Sequence, residues 1–115
     1  MNAALPERLA ERDADGAREV TLHVPKAHAV FAGHFPGRPI VPGIALLHWV
    51  VTELARWQGR ALDVASIEAL KFRRPVGPGG TVTLALSRAS APHSWTYEMR
   101  DEAGPISSGR VLERV

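Results

Sequence analysis

Ile44–Ala45–Leu46–Leu47–His48–Trp49–Val50–Val51–Thr52–Glu53–Leu54–Ala55–Arg56–Trp57–Gln58 runs without a Gly or Pro and stops at Gly59. Leu, Ala, Val and Trp dominate it, and a glycine just past the last turn is a common helix terminator. The stretch therefore predicts one helix. At about 100° per residue its apolar side chains surround almost the whole cylinder. A helix that is apolar nearly all round must be buried, so the rest of the chain has to enclose it.

Outward from that helix the chain reads as short strands between turns. Asp13–Ala14–Asp15–Gly16, Gly77–Pro78–Gly79–Gly80, Ala91–Pro92–His93 and residues 101–105 supply turn-forming residues. Between them, Val20, Leu22 and Val24 alternate with Glu19, Thr21 and His23. Val82, Leu84 and Leu86 alternate with polar neighbours in Thr81 to Ala89, and so do Trp95, Tyr97 and Met99 in Ser94 to Arg100. Period two with one apolar face is the pattern of a half-buried strand. Val64 to Arg73 and Ile106 to Arg114 give weaker strand patterns. One buried helix with about five antiparallel strands predicts an α+β fold, a curled antiparallel sheet wrapped around one long central helix. No repeat or linker interrupts residues 1–115, which read as a single domain. Within the opening segment 1–17, Ala3 to Glu11 reads equally as a short helix or a first strand.

Composition narrows the function classes. A chain of 115 residues, 45% hydrophobic and 23% charged, fits one globular domain. The net charge is only +2, and the pI near 9.7 reflects arginine, which supplies twelve of the fourteen basic residues. With aromatics at 6% and no basic-aromatic interleaving, nucleic acid is not an expected partner. No apolar run reaches the ~20 residues of a membrane span, and the N-terminus has no signal-peptide pattern. There is no cysteine, hence no disulfide and no thiol nucleophile. A cytoplasmic protein is expected. His23, His28 and His93 have no metal-ligand spacing, so no metal is expected, and no Ser or Cys nucleophile motif is present.

Immediately before the helix lies Phe31–Ala32–Gly33–His34–Phe35–Pro36–Gly37–Arg38–Pro39–Ile40–Val41–Pro42–Gly43. Three Gly and three Pro impose a fixed non-helical path, the kind of rigid loop that positions reactive groups. It feeds into a helix whose first N–H groups, near Gly43 and Ile44, lack intrahelical partners. Those donors and the positive end of the helix dipole suit a developing oxyanion. On the helix, His48 and Thr52 share a face one turn apart. The pair fits a core histidine satisfied by hydrogen bonding or a group facing a pocket, and Trp49 and Trp57 fit core or interface positions.

Gly33 to Gly43 resembles the signature loop of the hotdog-fold beta-hydroxyacyl-ACP dehydratases of fatty-acid synthesis. A second match, Lys71–Phe72–Arg73–Arg74–Pro75–Val76–Gly77–Pro78–Gly79, is similar to the family's basic strand and Pro-Gly turn. The two motifs stand in the family's order and separation and, with the helix, cover residues 30–86. Leu47–His48–Trp49 is most similar to the small dehydratases of aryl polyene clusters. The resemblance implies a hotdog fold and dehydration of 3-hydroxyacyl thioesters to trans-2-enoyl thioesters. It makes His34 the base for the C2 proton, a task that suits an imidazole. It makes the Gly43 N–H the donor to the thioester carbonyl, and Phe35, Pro42, Ile44, Thr52 and Phe72 the substrate-binding positions. Arg38, Lys71, Arg73 and Arg74 would form a basic rim for an acidic carrier protein or an ordinary solvated face. No cofactor is implied, since phosphopantetheine enters with the substrate.

The chain departs from the family at three positions. Thr52 stands where Gln is common, Gly80 where Asp is common, and His48 where the family carries its catalytic Glu or Asp. The segment ahead of the first motif is also shortened, which leaves chain-length preference open. An imidazole at 48 could protonate or orient the leaving C3 hydroxyl as the acid would, or leave His34 to act alone. The resemblance implies a homodimer with tunnels shared between subunits, and higher oligomers or a heterodimer with another hotdog protein stay open. Two other functions are compatible: a non-catalytic acyl-binding partner subunit, and an acyl thioesterase. The second would need a helix carboxylate, and the helix offers only Glu53, off the His48 face.

Overall fold

The alternating segments become strands because each can bury one apolar row against the helix. The computed structural model describes residues 5–28, 31 and 39–115. Its elements are β1 (Glu7–Ala14), β2 (Ala17–His23), α1 (Gly43–Gln58), β3 (Val64–Phe72), β4 (Thr81–Arg88), β5 (Ser94–Asp101) and β6 (Gly104–Glu113). The strands form one antiparallel sheet in the order β1-β2-β4-β5-β6-β3. Register places Val20 against Leu84 and Leu22 against Val82, then Leu84 against Met99 and Leu86 against Tyr97. These side chains, with Trp95, Ile106 and Val111, meet Ala45, Leu46, Trp49, Val50 and Leu54 of α1 in one core. The α+β architecture expected from the sequence is the one observed, with six strands rather than about five.

The helix ends where expected. Gly59 has a φ of 72°, and its N–H reaches the carbonyls of Ala55 at 2.9 Å and Arg56 at 3.2 Å. Only one side of α1 is fully buried, however. Ile44 is 64% exposed, and Leu47, His48 and Val51 are half-buried. The helix is thus enclosed on its sheet side and open on the other within a single chain.

The opening segment is a strand. Asp15 and Gly16, both at positive φ, close a two-residue hairpin between β1 and β2. All eight residues of β1 are exposed. Its apolar alternation is missing because the positions facing the core side are charged: Arg8 lies opposite Leu22, Glu11 opposite Val20 and Asp13 opposite Arg18. Arg18 donates to Asp13 at 2.6 Å and pairs with Glu11 at 3.1 Å, and Arg8 donates to Glu11 at 2.7 Å. Besides its backbone ladder, this strand is held by ion pairs.

The opposite edge, β3, carries a β-bulge. Glu68 pairs with Arg110 and Lys71 with Ser108, so β3 has one extra residue there, and Ala69 takes a φ of 53°. Ser107 on β6 steadies this region by donating to the Lys71 carbonyl at 2.9 Å. With its single proton used there, Ser107 accepts from the Tyr97 hydroxyl at 2.7 Å. Burial pushes the Tyr97 phenol above its ordinary pKa, which keeps it a donor.

Candidate active site

Two hollows lie along α1. The first, about 350 Å³, is lined by Ile40, Val41, Gly43, Leu46, Phe72, Arg73, Arg74 and Pro75. The second, about 450 Å³, is lined by Ile44, Leu47, His48, Val51, Leu62, Val64 and Ile67. The helix begins after Pro42 without a side-chain cap and without an acidic residue in its first turn. The amides of Ala45 and Leu46 are satisfied by the Pro42 carbonyl at 3.0 and 3.2 Å. Among the described residues no backbone carbonyl takes the Gly43 or Ile44 N–H. These donors carry the positive end of the helix dipole and are unneutralised by any nearby carboxylate of the helix.

Phe72 closes in on this helix tip because position 43 has no side chain. A Cβ on Gly43 would lie 3.1 Å from Phe72 Cζ, tighter than ordinary contact. The β3 bulge is what brings Phe72 round. Ile67 and Phe72 are five residues apart, an odd number that would put them on opposite faces of a regular strand. The extra residue returns Phe72 to the helix side, half exposed at 50%.

His48 projects from the open side of α1 into the second hollow, where among the described residues it is the one ionisable group lining an otherwise apolar groove. Along the helix it stands five residues, about 7.5 Å of rise, from Gly43. The neighbouring Thr52 does not meet the imidazole through its proton: its hydroxyl donates to the His48 backbone carbonyl at 2.8 Å. Pro42 precedes the first turn of α1, and Ile44 lines the groove. His34, Phe35 and Arg38 lie outside the described residues.

Arg74 is tied to the β5–β6 turn, donating to the Asp101 carboxylate and to the Gly104 carbonyl at 2.8 Å. Its guanidinium holds the Asp101 carboxyl below the usual carboxylate range. Arg74 is therefore held in place by the β5–β6 turn. Lys71 and Arg73 have exposed side chains, and Arg73 edges the first hollow.

Sequence reading did not place two features. The outer wall of the groove comes from Leu62, Val64 and Ile67, which follow the helix by a short loop and double back along it. Glu53 is off the His48 face as expected, but it is 4% exposed and held by Arg8 from β1. A lone carboxylate in the Leu46, Trp49, Glu53 stripe was the available signal.

A single antiparallel sheet laid on one central helix is the hotdog architecture, and chains of this fold superpose on it. A family model described as ApeI-like, ApeI dehydratase, matches residues 10–110, and the chain belongs to that family. The chain is similar to 3-hydroxyacyl-acyl-carrier-protein dehydratase FabZ of Herpetosiphon aurantiacus, at 34% identity over 91 residues, covering 72% of this chain and 64% of the relative. Against this and two other curated relatives it spans 64%, 50% and 56% of their length. Among solved structures, the dehydratase heterocomplex ApeI:P from Xenorhabdus doucetiae gives a TM-score of 0.87 at 26% identity, covering 97% of this chain and all of the other. An uncharacterised protein from Erwinia carotovora subsp. atroseptica gives 0.77 at 30% identity, covering 96% and 97%. The family resemblance read from the two motifs is borne out. Among the described residues no helix is long and apolar enough to cross a membrane.

Proposed function

We propose that this chain is a hydro-lyase that converts 3-hydroxyacyl thioesters on an acyl carrier protein to trans-2-enoyl thioesters. The observation that carries the reading is one juxtaposition on α1: Gly43 at the helix tip lines one hollow, and the His48 imidazole, five residues on, lines a second, largely apolar one. The Gly43 N–H receives the thioester carbonyl, and the helix dipole favours the charge that develops there, which acidifies C2–H. His34, the base by resemblance, takes the C2 proton. The C2–C3 double bond forms as the C3–O bond breaks, and His48 gives the leaving hydroxyl a proton so that it departs as water. Two imidazolium ions do not share a dry groove comfortably, so His34 starts neutral. A one-base version, in which His34 returns its own proton to the hydroxyl, gives the same products.

Lys71 and Arg73 would face the acidic carrier and the phosphate of its phosphopantetheine, which arrives with the substrate, and no separate cofactor is needed. The setting would be fatty-acid or polyene-like lipid synthesis in the cytoplasm. A homodimer would cover the exposed Ile44, Leu70 and Phe72, which cluster around the open side of α1 and the β3 edge. Glu53 favours dehydration over thioester hydrolysis. It is buried against Arg8 and does not line the groove, so it cannot activate water there.

Mass spectrometry of purified protein with 3-hydroxyacyl carrier protein tests the reading. Loss of water, abolished in a folded His34→Ala variant, is expected; release of free acid, or full activity in that variant, would overturn it. A second reading draws on the heterocomplex described for the Xenorhabdus doucetiae neighbour. In it, the chain is the non-catalytic half of a hotdog pair, and acyl binding without either product would favour it.

A further inference from the structure

Helix α1 carries two apolar faces that burial alone separates weakly. At about 100° per residue, Leu46, Trp49, Val50 and Leu54 gather on one side, and Ile44, Leu47, Val51 and Ala55 on the other. Turning the helix on the sheet would exchange one apolar set for another. His48 sits on the second side, about 140° from Glu53, so such a turn would carry the imidazole out of its groove.

Glu53 lies within the first face, 4% exposed. Its carboxylate accepts from Arg8 Nε at 3.0 and 3.1 Å, and Arg8 belongs to the strand at the far edge of the sheet. The second partner, Arg56 at 2.9 Å, is on the same helix and fixes it against nothing. The hydrogen bond from Arg88 to Gln58, 3.3 Å and exposed, ties only the last turn. We infer that Glu53 is a positioning residue: its part-buried ion pair with Arg8 sets the rotation of α1 on the sheet and so aims His48 into the groove. A turned helix would carry the Glu53 carboxylate off the sheet face and break its bonds to Arg8, a loss that the exchange of one apolar face for another does not itself impose. Such a pair specifies an arrangement more than it adds net stability.

The activity arm of the test rests on the dehydratase reading; the spectroscopic arm does not. An Arg8→Met/Glu53→Leu double variant is compared with a single Glu53→Gln variant, which keeps an acceptor for Arg8. In the double variant the melting temperature is expected to match or exceed that of the parent. Its kcat should fall tenfold or more with KM within twofold, and the His48 ring Cε1–H resonance should move. Glu53→Gln should retain the resonance and most of kcat. An unmoved resonance with unchanged kcat in the folded double variant would overturn the inference. So would equal losses in both variants that track a fall in melting temperature, since Glu53 would then only hold the fold. Should the parent protein not dehydrate its substrate, the functional reading falls and the resonance alone decides the orientation of His48.

Discussion

The two long faces of α1 have nearly the same hydrophobicity and opposite fates. Leu46, Trp49, Val50 and Leu54 are 3% exposed or less against the sheet, while Ile44, Leu47, His48 and Val51 line an open groove. What separates them is the polar residue each contains. Glu53 on the sheet side is paired from β1, and His48 on the groove side is left facing the hollow. The comparison teaches that in a helix apolar all round, function is read from where the few polar groups sit, not from the apolar pattern.

The sharpest way to break the comparison is to exchange the consequences of substitution between faces. His48→Ala is expected to lower turnover by about 10²-fold or more, the scale of a lost general acid, while denaturant unfolding changes little. Full turnover in this variant would remove His48 from the chemistry and favour the one-base version run by His34. Leu54→Ala, on the sheet face, should cost about 2–5 kcal/mol of stability by leaving a cavity, measured as a lower denaturation midpoint with turnover per folded molecule kept. Thr52→Val sharpens the boundary between faces. Its hydroxyl proton serves the helix backbone, so kcat/KM should hold and stability should move by about 1 kcal/mol or less.

The mildest expected effect lies off both faces, on β6. Arg60 and then His93 hold the Glu113 carboxyl down at about 2. Its folded pKa is below its ordinary value, so the stability it contributes is present above the ordinary carboxylate range. It is lost as pH falls from about 4.5 toward about 2. Glu113→Gln should flatten that part of an acid-unfolding curve slightly and leave the profile above pH 5 unchanged. Any activity change above pH 5 then belongs to the groove.

Legibility in the sequence followed from how local each cause is. β2, β4 and β5 showed in the chain because each keeps a strict two-residue alternation against the core, and α1 showed by its length and Gly59. β1 did not, because its core-side positions are Arg8, Glu11 and Asp13. β3 was weak because bulges break its alternation and its edge position leaves it exposed. At the site, Gly43, His48 and Phe72 were legible through motifs. The Arg74 tie to Asp101 spans 27 residues and the Arg8 pair with Glu53 spans 45, and neither partner announces the other. Such pairings exist only once the sheet order is known.

The bulge at Ala69 has an unexpected bearing on which lesions β3 tolerates. Removing that one residue would leave Ile67 and the ring that shields Gly43 an even count apart, so both would still point inward. Replacing Ala69 with valine or isoleucine resists the left-handed backbone there and presses the strand to run straight. An ammonium from Lys71 would then swing over the electropositive end of the helix in place of a phenyl group. For this strand, losing a residue is gentler than changing one.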